Sequence, residues 1–215
     1  MNERPLVLCL TNTVAANFTA NCLLAVGAKP AMVEEPSEAA ELAAVADALL
    51  INLGTVTERQ AEAMRRAVAV ARAKGRPWVL DPVGVQFLAF RRALALELVG
   101  LKPSLVRGNR AEIDALGPTD AVALATGETD EIRRPDGPAV SIAGGVPMLQ
   151  TVTATGCAQG GLCAAFLGRG QTPCEAAVSA SRLMKRAGEL AGSRAGAPGG
   201  FKAALVDALW ELGHD

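Results

Sequence analysis

The chain has no tyrosine and a single histidine, His214, next to the end of its 215 residues. One histidine at a terminus that is expected to be disordered leaves no basis for Ser-His-Asp chemistry or a histidine-built metal site. Aromatics are scarce: five Phe and two Trp make no base-stacking platform. Lys and Arg number 21 against 22 Asp and Glu, with no basic block, so nucleic acid is not an expected ligand. No apolar run approaches membrane-spanning length. The apolar start Pro5-Leu6-Val7-Leu8-Cys9-Leu10 is broken by Thr11-Asn12-Thr13 too soon for a signal sequence. A cytoplasmic protein without a membrane partner is therefore expected. Five cysteines (9, 22, 157, 163 and 174) are an odd number without paired spacing, which argues against a disulfide framework and against zinc.

What is present is an ordinary globular composition, 50% hydrophobic and 20% charged, arranged as short apolar runs alternating with Ala-rich segments of helical period. Strands are expected at 5–10, 29–33, 48–54, 77–82, 104–108 and 121–126. This alternation predicts an α/β fold with a mostly parallel central sheet, in one domain over 1–215. Thr57-Glu58-Arg59-Gln60 reads as a capping box opening a helix that stops at Gly75. Pro135-Asp136-Gly137-Pro138, between strand-like runs, suggests a hairpin at the sheet edge. After Cys157 the chain reads as helical, with Gly196 to Gly200 a loop before a last helix from Phe201 to Leu212.

The most telling stretch is Val152-Thr153-Ala154-Thr155-Gly156-Cys157-Ala158, a turn of small residues leading into an apolar segment. Unpaired N–H groups of residues 154 to 157 and the positive end of the helix dipole would make an anion site there. The same field would favour a thiolate at Cys157. The other four cysteines suit packing.

In parallel α/β sheets ligands bind beyond the carboxyl ends of the strands. Asn52 and Gly54, Asp81-Pro82-Val83-Gly84, Arg107-Gly108-Asn109 and Thr126-Gly127-Glu128 all fall there. Each also has a purely structural reading: Asp81 before a proline sets a turn, and Asn109 with Glu112 fits a capping box. Together, an Asp, a Glu and an Arg beside an anion site suit a magnesium nucleotide. Neither a P-loop nor a Gly-x-Gly-x-x-Gly fingerprint occurs. Asn17 and Asn21, four residues apart, read either as paired amides tying down a helix or as the edge of a small polar substrate pocket.

These residues in this order resemble the hydroxyethylthiazole kinases, ribokinase-like enzymes of thiamine salvage. The likeness rests on Cys9-Leu10-Thr11-Asn12, Asn17-Phe18-Thr19-Ala20-Asn21, Gly27-Ala28-Lys29-Pro30-Ala31-Met32, Asn52-Leu53-Gly54-Thr55 and Leu80-Asp81-Pro82-Val83-Gly84. It continues through Arg107-Gly108-Asn109-Arg110-Ala111-Glu112-Ile113, Ala125-Thr126-Gly127-Glu128, Thr153-Ala154-Thr155-Gly156-Cys157 and Pro198-Gly199-Gly200-Phe201, and so spans nearly the whole chain.

The resemblance implies a three-layer α/β/α fold and a homotrimer with active sites at subunit interfaces. It also implies ATP-dependent, Mg²⁺-assisted phosphorylation of 4-methyl-5-(2-hydroxyethyl)thiazole. Met32, Ala154 and Asn21 would then meet the thiazole, while Arg107, Thr126 and Asn109 would meet ATP. Asp81 and Glu112 would serve magnesium, residues 154 to 157 (Ala154, Thr155, Gly156, Cys157) the anion hole, and Cys157 the catalytic position.

The chain departs from the family pattern in three places. Ala154 replaces a glycine, Val85-Gln86-Phe87 replaces smaller residues, and a loop and helix are missing between Gly117 and Asp120. Two alternatives follow from these departures: a kinase for another small alcohol, and a non-catalytic thiazole or nucleotide binder.

Overall fold

The computed structural model describes residues 4–214, the His214 side chain excepted. Its centre is an eight-stranded sheet in the order β2-β1-β3-β4-β5-β6-β7-β8. The strands are β1 (Leu6–Leu10), β2 (Lys29–Met32), β3 (Ala48–Asn52), β4 (Trp78–Asp81), β5 (Leu105–Asn109), β6 (Val122–Thr126), β7 (Asp130–Arg133) and β8 (Val140–Ile142). The six expected strands are parallel, and the expected edge hairpin adds β7 and β8 antiparallel.

The helices are α1 (Ala16–Ala25), α2 (Pro36–Val45), α3 (Glu58–Ala73), α4 (Ala89–Gly100), α5 (Arg110–Leu116), α6 (Thr155–Gly168), α7 (Pro173–Arg194) and α8 (Pro198–His214). α8 starts three residues before the expected Phe201, because proline is well tolerated in a first helical turn. Helix replaces the predicted disorder as far as His214, and Asp215 lies outside the described residues. Both capping boxes read from the sequence form: Thr57 with Gln60 opens α3, and Asn109 with Glu112 opens α5.

Strand side chains alternate between two cores. Val7, Cys9 and Leu50 pack with α1, α6, α7 and α8, while Leu8, Leu10 and Ile51 pack with α2, α3 and α4. A parallel sheet must be covered on both faces in this way. Cys9, Cys22 and Cys163 are fully buried packing residues, as expected. Among the described residues no helix is long and apolar enough to cross a membrane.

The strand order reverses at β1, which lies between β2 and β3, so the carboxyl ends of β1 and β3 flank a topological switch point. α6 packs across β1, β3 and β4 and brings its N-terminus to these strand ends.

Candidate functional site

α6 starts without a side-chain cap. Ala154 precedes it in the left-handed region, with φ 74° and ψ 0°. The first-turn N–H groups of Thr155, Gly156 and Cys157 have no acceptor within the helix, and the Thr155 hydroxyl is spent on the Leu149 carbonyl at 2.8 Å. The expected anion site is thus an uncapped helix start whose side chains hold the turn rather than fill it.

Two close approaches fix what surrounds it. A Cβ on Gly156 would stand 2.6 Å from Nη2 of Arg107, so only glycine lets the guanidinium lie against the helix start. A Cβ on Gly54 would stand 2.7 Å from Nδ2 of Asn12. Asn12 in turn spans the switch point, its Nδ2 donating to Asn52 Oδ1 at 2.8 Å and to Cys157 Sγ at 3.4 Å. Asn52 Nδ2 donates to Asp81 Oδ2 at 2.7 Å, and the same carboxylate oxygen lies 3.6 Å from Arg107 Nη1. A buried polar chain therefore links Cys157, Asn12, Asn52, Asp81 and Arg107.

The expectation of a thiolate at Cys157 is overturned. Burial, reinforced by the negative charge of Asp81, pushes its thiol up to about 11, against the lowering effects of Arg107 and the two asparagines. The loss of water around the sulfur is the largest of these effects. Asp81 is fully buried and its carboxyl is pushed up to about 6 by burial, with Arg107 opposing and Glu112 adding repulsion.

Arg107, Asn109, Thr126, Gly127, Thr155, Gly156, Gln159 and Lys185 line one cavity of about 330 Å³. Arg107 Nη2 donates to Thr126 Oγ1 at 2.9 Å, and that hydroxyl donates to the Gly108 carbonyl at 3.1 Å. Glu112 receives the N–H groups of Gly84 at 2.9 Å and Asn109 at 2.8 Å.

Among the described residues, no three His, Cys, Asp or Glu side chains gather to hold a metal. Asp81 and Glu112 nevertheless suit a hard cation shared with phosphate oxygens. Asp81 Oδ1 is buried with no hydrogen-bond partner. The buried charges, Asp81, Glu112 and Asp130 against Arg107 and Lys185, also leave an excess of negative charge.

Two expected residues lie elsewhere. Met32 ends β2 at the surface and lines an open cleft of about 490 Å³ with Thr13, Glu34 and Thr55. Asn21 is exposed on α1, where its amide donates to the Asn17 carbonyl within the same helix at 2.9 Å, and it does not line the cleft around Met32.

Sequence reasoning missed the roles of Asn12, Asn52, Gln159, Asp130 and Lys185. Asn52 is among the strand-end polar residues read from the sequence, though not for this pairing, and Asn12 could have been found in the same way, as a polar residue closing an apolar strand at a switch point. Gln159 and Lys185 sit within long helices and carry no such signal.

A model of the hydroxyethylthiazole kinase family matches residues 1–120 and 117–215 of this chain. A hydroxyethylthiazole kinase of Klebsiella pneumoniae (strain 342) is 46% identical over 235 residues, covering 96% of this chain and 90% of the relative. The structure of a hydroxyethylthiazole kinase from Pyrococcus horikoshii OT3 superposes with a TM-score of 0.93 at 33% identity, covering 97% of this chain and 88% of the other. A ribokinase-like superfamily protein of Enterococcus faecalis V583 shares the fold, with a TM-score of 0.71 at 14% identity over 96% of this chain and 86% of its own. The family match breaks at residues 117–120, and the Klebsiella alignment is longer than this chain's 215 residues. The relative therefore carries residues that this chain lacks. At the break, between α5 and the β7–β8 hairpin, Ile113, Leu116 and Pro118 border an open groove of about 360 Å³.

Proposed function

Because the chain belongs to the hydroxyethylthiazole kinase family, we propose that it transfers the γ-phosphoryl group of ATP to the primary hydroxyl of 4-methyl-5-(2-hydroxyethyl)thiazole, a step of thiamine salvage. The observation that carries this reading at the level of the site is the uncapped start of α6 held against Arg107, with Cys157 on the same turn. The alcohol oxygen attacks the γ-phosphorus as the bond to the ADP oxygen breaks. The N–H groups of Thr155, Gly156 and Cys157, with Arg107, face the charge that develops on the transferred oxygens.

The alcohol's proton has to leave as the new bond forms, and Cys157 is the group on this turn that can accept it. Its thiol is neutral at physiological pH, so only a minor thiolate population serves as base. Asp81 and Glu112 would hold Mg²⁺, which would supply positive charge to offset that of the phosphates when bound. Asn12 and Asn52 hold Cys157 and Asp81 in register across the switch point.

The thiazole would be completed by Met32 and Asn21 of a neighbouring subunit in a homotrimer. Support for this comes from the exposure of both residues, and from the solvent-facing apolar side chains Val14 and Leu24. The single domain over 1–215 would work in the cytoplasm. The test is incubation with Mg-ATP and the thiazole alcohol beside other small primary alcohols, with products read by mass. A thiazole phosphate ester is expected; product only from another alcohol, or binding without product, would replace this reading.

A further inference from the structure

We propose that Lys185 is a positioning residue for the nucleotide, its ammonium holding together the two loops that wall the far end of the ATP site; this rests on the kinase reading above. Lys185 is buried in α7. Its Nζ donates to the carbonyls of Glu128 at 2.9 Å, Gly144 at 3.1 Å and Gly127 at 3.3 Å, and lies 3.4 Å from Asp130 Oδ1. Three carbonyls from two separate loops and one carboxylate thus converge on one cation, where they would repel each other without it.

The position of these loops ties the clamp to the nucleotide. The cavity beside Arg107 and Gly156 adjoins a second, of about 470 Å³, lined by Gly127, Glu128, Gly144, Gly145 and Pro147. Gly127, Leu149, Gln150 and Lys185 border both cavities. With phosphate at the start of α6, the remainder of a nucleoside triphosphate has this second cavity to extend into.

The clamp is also wired to the reaction end. Asp130 Oδ2 accepts from Gln159 Nε2 at 3.1 Å, and Gln159 Oε1 lies 3.5 Å from Arg107 Nη2. Asp130 Oδ1 also receives the Gly127 N–H at 3.1 Å, closing the turn whose carbonyl the ammonium holds. None of these contacts involves the cleft around Met32, so the effect should be specific to the nucleotide.

Lys185→Met keeps the stem and removes the charge. The affinity for a non-hydrolysable ATP analogue and the KM for ATP are expected to weaken about tenfold, as for loss of loop positioning, with the KM for the thiazole alcohol within about twofold of the parent. Because this variant leaves Asp130 buried and unpaired, the paired variant Lys185→Met with Asp130→Asn tests the clamp without a stranded charge. It too is expected to bind the analogue about tenfold more weakly.

Parent-like analogue affinity in the paired variant overturns the proposal. So does an equal rise in both KM values, which would mark general loosening. A parent that binds the analogue but makes no thiazole phosphate overturns the functional reading alone, and the clamp is then judged on analogue affinity. A parent that binds no analogue overturns both.

Discussion

Gly156 and Arg107 are in contact to the exclusion of any side chain at position 156: a Cβ there would lie 2.6 Å from Nη2, 2.7 Å from Nη1 and 3.0 Å from Cζ of the guanidinium. The arginine is buried and committed to Thr126 and Asp81, so it cannot yield without breaking those contacts. Gly156→Ala is expected to cost roughly 1.5–3 kcal/mol of stability, the worth of displaced charge-assisted hydrogen bonds. Turnover should fall on the order of a hundredfold, because Arg107 would be moved off the proposed phosphate site. Denaturant midpoints and steady-state kinetics check both, and a parent-like kcat would show that the contact does not serve catalysis.

Ala154 occupies a left-handed conformation, φ 74°, that favours glycine. The strain on a residue with a Cβ is about 1–2 kcal/mol, against about 0.4–1 kcal/mol of unfolded-chain freedom gained by glycine. Glycine's added chain freedom by itself would cost a little stability; the backbone angle reverses the sign. Ala154→Gly is expected to raise the urea midpoint by the equivalent of about 0.5–1 kcal/mol. A lowered midpoint would mean the turn relaxes in solution.

Asp81 carries a cost that depends on pH. Its folded-state pKa of about 6 lies above the ordinary carboxylate value of 3.8, so the ionised carboxylate destabilises the fold above pH 6 and the cost vanishes below about pH 4. That difference corresponds to about 3 kcal/mol at neutral pH. Asp81→Asn mimics the protonated form, and without nucleotide it is expected to be more stable than the parent at pH 8 and indistinguishable near pH 4. Melting curves across that range decide the matter. A variant less stable at pH 8 would show that Arg107 needs the negative charge more than burial penalises it.

As the base of the proposed transfer, Cys157 would set the pH dependence of turnover. With a thiol near 11, the thiolate fraction grows about tenfold per pH unit through the neutral range, and kcat should rise with it. Cys157→Asp supplies a far more acidic group, so it should retain or gain activity at neutral pH and flatten the profile. A flat profile in the parent would remove Cys157 from the proton's path.

The legible parts of this structure are those where local chemistry and tertiary packing agree. Thr57 with Gln60 and Asn109 with Glu112 make their capping boxes because side chain and backbone are only three residues apart. The parallel strands announced themselves by being apolar on both faces, as at Leu49 and Leu50, both wholly buried. Long-range polar pairing was not legible. Asn12 and Asn52 are 40 residues apart, and Gln159 and Asp130 are 29 apart. Asn12 and Asn52 are each visible as a polar residue closing an apolar strand, but nothing local marks the pairing of either pair. The thiolate expectation failed for a related reason: a helix start is visible in sequence, whereas the loss of solvent around Cys157 is produced by α6 seating against β3 and β4.

The central claim is that the start of α6, Arg107 and Cys157 together transfer phosphate to the thiazole alcohol. It is tested most directly by following conversion of 4-methyl-5-(2-hydroxyethyl)thiazole to its phosphate ester with Mg-ATP, in the parent and in Arg107→Ala. The expected result is ester formed with one ADP per product in the parent and a loss of roughly a hundredfold or more in Arg107→Ala. Equal rates in the two proteins, or ADP released without ester, would contradict the account.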